Sequence, residues 1–370
     1  MKPRVLFVSR ERFMLPLDDT QRRKWSAVGE LLDYRILAAA QIGSPLRAER
    51  MRLAAPSRPR KLDGALYYLL LPVRIVHELR AFRPDVAVVQ GVHETVAFLA
   101  ARKITRTRTR VVLEVHGDWH AATRLYGSPA RRLLNPVSDA MGVIAVRNAD
   151  AIRTLSPFTS AAVRRLGREP DGEFPAFLDR DVFLADPPAP LSERPQALFV
   201  GVLERIKGFD VLAAAWPRVL EVVPDAHLHV VGRGPLATLA RALVAQGATW
   251  TESLDATGVA RAIDDAWLLC LPSRAEGLGR VVIETAGRGR AVVGSAAGGI
   301  PDLVEEDVTG LLVRPGDASE LAAALVRVLS DRGAAERLGA AARRKGEELM
   351  PAPAEYARRV VAVVDRAAQG

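Results

Sequence analysis

Two carboxylates and two glycines stand close together in the stretch Ser273-Arg274-Ala275-Glu276-Gly277-Leu278-Gly279-Arg280-Val281-Val282-Ile283-Glu284. Gly277 and Gly279 bracket Leu278, and a helical pattern starts at about Gly279. The apolar run 267–271 before it, ended by Pro272 and Ser273, predicts a buried parallel strand. The order is strand, glycine-rich turn, helix N-terminus. At such a terminus, backbone N–H groups without intrahelical partners and the positive end of the macrodipole favour an anion. Glu276 lies in the turn, and Glu284 lies about one helical turn into the helix, eight residues further on. One can meet hydroxyls beside the anion, the other hydroxyls beyond it. A sugar, a phosphate and a ribose in a row would satisfy all three features.

These groups need a scaffold, and strands alternating with helices supply it. In the first half, strands are expected at 5–9, 34–39, 85–90, 111–115 and 149–155. Helices are expected at 19–32, 66–82 and 95–103, with an exposed basic loop or short helices over 43–63. The proline-rich segment 184–196 reads as an interdomain linker. The alternation then restarts, with strands at 197–201, 227–231, 249–252, 267–271, 291–295 and 310–313. Such βαβ units imply α/β domains, each a parallel sheet covered on both faces. The expected division is a first domain over 1–183, the linker, and a second domain over 197–351. The final helix, about 352–370, has an apolar stripe that needs a surface and is expected to pack back on the first domain. Ligands of such sheets sit at the carboxyl ends of the strands.

Composition narrows the function classes. With 370 residues the chain has room for two cores, and no apolar run reaches membrane-spanning length. The expectation is a soluble, cytoplasmic protein whose opening Met1–Ser9 is a first strand and not a signal peptide. The single cysteine, Cys270, excludes an internal disulfide and a cysteine-based metal cluster. Residues 1–180 hold 31 Lys and Arg against 18 Asp and Glu, while the remainder is slightly acidic. A basic first half suits an anionic partner such as a membrane surface; an arginine-rich composition without a binding role is the alternative. The arginines are scattered without interleaved aromatics, so no specific nucleic-acid surface is expected.

The motifs resemble the retaining glycosyltransferases of family 4, the group 1 type, which have the GT-B fold. Glu276 and Glu284 match the family's Glu-x7-Glu signature. Gly298-Gly299-Ile300-Pro301-Asp302 with Thr309-Gly310-Leu311-Leu312-Val313, Lys207-Gly208, and Val231-Gly232-Arg233-Gly234-Pro235 match further segments in order. Together they cover most of 195–330. The first half resembles the family more loosely. Ser9-Arg10-Glu11-Arg12-Phe13-Met14 carries no glycine where many members have a glycine-rich loop, and Val202 replaces a usual arginine. Asp179-Arg180-Asp181 has a metal-site pattern but aligns with a structural family segment, so no metal is expected.

The resemblance implies two Rossmann-like domains facing across a cleft and a metal-independent transfer with anomeric retention. The donor would be a nucleotide diphosphate sugar, a UDP- or GDP-linked hexose, with no further cofactor. The acceptor would be a glycan, a polyprenyl-linked or other lipid, or a small molecule. Glu276, His116 and Lys207 are the expected catalytic residues, Lys207 neutralising the leaving diphosphate. Glu284, Gly277, Leu278, Gly279, Arg205, Gly201 and Arg233 are the expected donor-binding residues, Glu284 meeting the ribose. His93 and His120 are expected to be structural. A cytoplasmic protein, peripheral at the inner membrane face, would follow. Two other classes remain open. One is a dinucleotide-dependent oxidoreductase, opposed by the lack of a Gly-x-Gly-x-x-Gly turn with a ribose-binding acid about 20 residues on. The other is an inactive homologue binding a membrane surface, for which Val202 argues.

Overall fold

The computed structural model describes residues 2–57, 63–120, 135–184 and 187–369. Contacts divide the chain into two units, Met1–Phe174 with Ala352–Gly370, and Pro175–Pro351.

The first unit runs β1 (Arg4–Phe13), α1 (Asp19–Leu31), β2 (Asp33–Ala40), β3 (Met51–Ala54), α2 (Asp63–Ala81), β4 (Val86–Gln90), α3 (Val92–Thr105) and β5 (Arg110–Val115). It continues with α4 (Asn135–Asn148), β6 (Ala151–Thr154), α5 (Pro157–Arg164) and β7 (Gly172–Glu173). Its seven strands lie in the order β3-β2-β1-β4-β5-β6-β7, with every described pair parallel. That is the doubly wound order, reversing direction beside β1. Helices cover both faces, so strands such as Val86–Val89 are buried without alternation. On one face Leu71, Ile75 and Leu79 of α2 and Phe98 of α3 pack on Leu6, Val8, Ala87 and Val89. On the other, Trp25 of α1 stacks on Tyr34 at 5.2 Å and meets Phe7 edge-on at 5.0 Å.

The second unit runs α6 (Arg180–Phe183), β8 (Gln196–Val200), a 3₁₀ turn (Arg205–Lys207), α7 (Phe209–Val222), β9 (His227–Val231), α8 (Ala237–Val244), β10 (Thr249–Thr251) and α9 (Ala256–Asp264). Then come β11 (Leu268–Leu271), α10 (Arg280–Gly287), β12 (Ala291–Ser295), β13 (Gly310–Val313), α11 (Ala318–Leu329) and α12 (Arg332–Leu349). Its sheet has the order β10-β9-β8-β11-β12-β13, again all parallel. The strand order repeats that of the first unit. Trp216, Phe199 and Phe209 centre its core, and Cys270 is packed within it.

The last helix, α13 (Pro353–Gln369), buries Tyr356, Val360, Val363, Val364 and Ala367 along one stripe. It belongs to the first unit and lies against α1 and β4–β6.

Three expectations change. Strand β1 does not stop at Ser9 but continues through Arg10, Glu11 and Arg12 to Phe13, with an irregular register between Val8 and Arg12. The irregularity leaves Arg10 and Arg12 exposed while Phe13 is buried. Within the expected loop 43–63, Met51 and Leu53 turn inward from β3, an alternation two residues long that is too brief to read beforehand; residues 58–62 of that segment lie outside the described residues. The segment 184–196 is not the passage between units, which falls at Phe174–Pro175 and Pro351–Ala352. Leu191 is buried in the second unit's core. Arg290 donates to the Pro190 carbonyl and Arg332 to that of Leu191. Ala185 and Asp186 of that segment lie outside the described residues.

Candidate active site

The second unit's strand order reverses between β8 and β11, and the two loops leaving their carboxyl ends carry Lys207 and Glu276. The Lys207 Nζ donates to Glu276 Oε2 at 2.6 Å, both side chains largely shielded at 23% and 14% exposure. Ser273, fully buried, donates to the same oxygen at 3.4 Å.

Backbone constraints place both residues. Lys207 ends the 3₁₀ turn, and Gly208 follows at φ +68°. A Cβ at Gly208 would lie 1.9 Å from the Pro272 carbonyl oxygen, so the β8 loop can press against the β11 loop only without a side chain there. Across the same seam the Arg274 N–H donates to the Ile206 carbonyl at 2.7 Å. The Arg274 guanidinium grips both Asp210 oxygens, at 2.7 and 2.9 Å, and also reaches the Arg205 carbonyl. Glu276 is fixed from its other side by a glycine pair. Its carbonyl accepts from the Gly299 N–H at 3.0 Å, and a Cβ on Gly298, at φ +59°, would fall 1.9 Å from it.

Helix α10 begins immediately after Gly279, which caps it at φ +77° without a side-chain hydrogen bond, and its first turn has no acidic residue. The positive end of the helix is therefore not neutralised from within. Glu284 is on this helix, 9% exposed, 3.5 Å from Arg280. Burial pushes its carboxyl above the usual range, against the opposing pull of Arg280. Leu278 is buried at 5%.

The other expected donor residues stand differently. Arg205 is 77% exposed and 3.9 Å from Asp210. Arg233 pairs with Glu252 at 3.1 Å on the surface, and Val202 is 47% exposed. An added Cβ at Gly201 would meet neighbours only at 3.6 Å or beyond, so the fold itself does not demand glycine there. The Arg274–Asp210 brace was not singled out by sequence. Its signal was an arginine within the motif, and its partner 64 residues earlier becomes adjacent only through strand order.

His116 lies in the first unit, after β5. Its Nδ1 faces the Gln90 amide at 2.9 Å and its Nε2 faces Glu114 at 3.3 Å. Glu114 also pairs with Arg153, which is buried over the Phe174 ring at 4.0 Å. Burial alone would raise the Glu114 carboxyl, but Arg153 and His116 outweigh it and hold it well below the usual range. His93 faces the Ser138 hydroxyl at 3.2 Å, and His120 sits between Asp118 and Asp139. Asp179, 1% exposed, precedes α6, its carbonyl accepting from the N–H groups of Val182 and Phe183. Among the described residues, no group of three or more His, Cys, Asp or Glu is placed to hold a metal ion. Nor is any described helix long and apolar enough to cross a membrane.

Residues 194–331 match the family described as glycosyl transferases group 1, and residues 27–173 match the glycosyl transferase 4-like domain. A GDP-mannose-dependent alpha-(1-6)-phosphatidylinositol monomannoside mannosyltransferase of Mycobacterium tuberculosis is 30% identical over 68% of this chain and 69% of its own length. The chain belongs to the group 1 glycosyltransferases. A sulfoquinovosyl transferase of Arabidopsis thaliana is 32% identical over 42% of this glycosyltransferase, though the match spans only 31% of the plant protein. In fold the glycosyltransferase is similar to sucrose-phosphate synthase from Thermosynechococcus elongatus, with a TM-score of 0.79 over 99% of this chain and all of the other, at 19% identity. It is also similar to Anabaena HepE in complex with UDP and glucose, with a TM-score of 0.70 over 97% and 99% of the two chains, at 17% identity. Its two parallel-sheet, Rossmann-like units are those of the GT-B fold class.

Proposed function

We propose that this glycosyltransferase takes a hexose from a UDP- or GDP-linked donor held by the second unit. It passes the sugar, with retained anomeric configuration and without a metal, to an acceptor held by the first. The observation that carries the reading is the 2.6 Å Lys207–Glu276 pair at the switch point of the second sheet, next to the N-terminus of a helix whose own first turn carries no acidic residue. Open α/β sheets bind ligands at such a point. The mannosyltransferase relative is named for GDP-mannose, a nucleoside diphosphate hexose of the kind proposed.

The chemical difficulty is charge growing on the diphosphate as the glycosidic bond breaks. Preorganised positive groups aimed at that charge lower the barrier most. Lys207 and the N–H groups at the start of α10 supply them, with Arg205 and Arg233 as outer cations. Glu276, released from Lys207 as the phosphates arrive, accepts hydrogen bonds from sugar hydroxyls and fixes the anomeric carbon. Gly201 and Gly277–Gly279 leave the backbone open to the donor, with Leu278 packed beneath, and Glu284 accepts from the ribose. His116, partly exposed after β5, is the first-unit residue to which the family resemblance assigns a role near the sugar. The acceptor oxygen bonds to the anomeric carbon on the face the diphosphate leaves, and the departing phosphate oxygen takes the acceptor proton. The basic first half suits work at the anionic inner face of a membrane.

The test is turnover, followed as nucleoside diphosphate released from UDP- and GDP-hexoses. Glu276→Gln and Lys207→Ala should each lower transfer at least ~10-fold, about 1.4 kcal/mol of barrier, with melting temperature kept. Near-normal turnover by both variants would sink the assignment.

A further inference from the structure

Three features of the first unit meet at one place. Leu66, Leu69, Leu70 and Val73 are spaced three, four and seven residues along α2 and so share a face. They remain 38%, 70%, 52% and 67% exposed. Beside them a cavity of about 380 Å³ opens between α2 and the carboxyl ends of β2 and β3. Its apolar wall includes Ala40, Leu53, Ala54, Leu66 and Leu70. Leu66 and Leu70 belong to both, so the cavity adjoins the exposed stripe. Its volume falls in the range of small-molecule pockets, roughly 300–1,000 Å³, at the ligand-binding end of an open sheet.

The polar groups are few and have distinct tasks. Arg74 spends its guanidinium on the carbonyls of Ala38, at 3.4 Å, and Arg52, at 2.9 Å, and braces α2 against the strand ends. Asp63 receives Arg12 and the Ser57 N–H, the latter at 2.8 Å, and frames the mouth. Arg10 lines the same cavity, exposed, with its guanidinium 5.6 Å from the centre of the Tyr68 ring. An apolar chamber with an arginine at its entrance fits a molecule that is hydrocarbon at one end and anionic at the other.

We propose that this cavity is the acceptor subsite and takes the hydrocarbon chain of an anionic amphiphile, with its phosphate-type headgroup on Arg10. The outward leucines and Val73 then rest in the surrounding lipid. This rests on the reading that the first unit holds the acceptor. A membrane-borne amphiphile fits better than a protein partner because a recessed, mostly apolar cavity of this volume accepts a chain. The charge agrees: residues 1–180 carry 31 Lys and Arg against 18 Asp and Glu, complementary to an anionic lipid surface.

The experiment titrates the full chain with dodecyl phosphate below its micellar concentration, with dodecyl maltoside and inorganic phosphate as separate arms. Dodecyl phosphate should bind saturably, one per chain. Inorganic phosphate should not bind measurably, and the uncharged maltoside should bind at least ~10-fold more weakly. Arg10→Gln should weaken dodecyl phosphate about tenfold, and Ala54→Phe, which fills the chamber, should abolish its binding. Arg10 is exposed, so its variant keeps the test valid if the phenylalanine disturbs the fold. Equal binding by wild type and both variants, or uptake that never saturates, overturns the proposal. UDP and GDP titrations of the same proteins separate the two readings. Nucleotide binding kept while amphiphile binding fails leaves the donor site standing, and the reverse result removes the donor site alone.

Discussion

Glu284 shows how one residue carries both structure and expected function. It is buried on α10, with its carboxyl pushed above the usual range by that burial. In the proposed ribose contact a carboxylate can accept hydrogen bonds from both hydroxyls; a protonated carboxyl loses part of that capacity. A raised value means the charged form accumulates only as pH rises through it, so nucleotide affinity should climb with pH across that window. Calorimetric titration of UDP and GDP between pH 5 and 8 checks this. Wild type should lose more affinity toward the acid end than Glu284→Gln, whose remaining pH dependence comes from the nucleotide's own terminal phosphate, so the gap between the two proteins should widen as pH rises. At this scale the placement of Glu276 in a glycine turn and of Glu284 on the helix after it was legible because their spacing and glycine context are local. Asp210 was not, because nothing near it in the chain announces Arg274.

Two elements brace the candidate site residues or their neighbours, each with its own vulnerability. The turn of Gly298 and Gly299 after β12 presses on the Glu276 backbone, and Gly298 occupies the left-handed region with no space for a Cβ. Gly298→Ala should cost roughly 1–3 kcal/mol of strain and weaken nucleotide binding by displacing the Glu276 loop, readable as a lower melting temperature and a raised Kd together. In the first unit, β5 and β6 place Glu114 against buried Arg153. The folded Glu114 carboxyl titrates below its unfolded value, so the pairing stabilises fully above the unfolded value and is lost as pH falls below it. Glu114→Gln should destabilise by about 3–5 kcal/mol near neutral pH, since Arg153 stays buried without its carboxylate. Urea unfolding should show that difference shrinking below about pH 4. The sequence showed β5 and β6 as apolar runs but not this pair, whose charges are hidden beneath a helix more than 190 residues away in the chain.

At the scale of the molecule, repeated strand–helix alternation made two parallel sheets legible, and the apolar stripe of α13 announced a helix in need of a surface. The linker was misplaced for a physical reason: proline stiffens a segment but does not keep Leu191 out of a core. The extension of β1 was hidden because Arg10, Glu11 and Arg12 look like a loop, whereas the strand runs on through an irregular register with Arg10 and Arg12 exposed and Glu11 half-buried. The central claim is that the second unit is a nucleoside-diphosphate site built on Lys207 and Glu276. Its most direct test is a thermal-shift panel of UDP, GDP, ADP and their sugars on wild type and Lys207→Ala. At about 100 times its dissociation constant, one nucleotide should stabilise wild type by about 2.7 kcal/mol, and the same concentration should leave Lys207→Ala nearly unshifted. An equal shift in both proteins, or none in wild type with any member of the panel, would contradict the account.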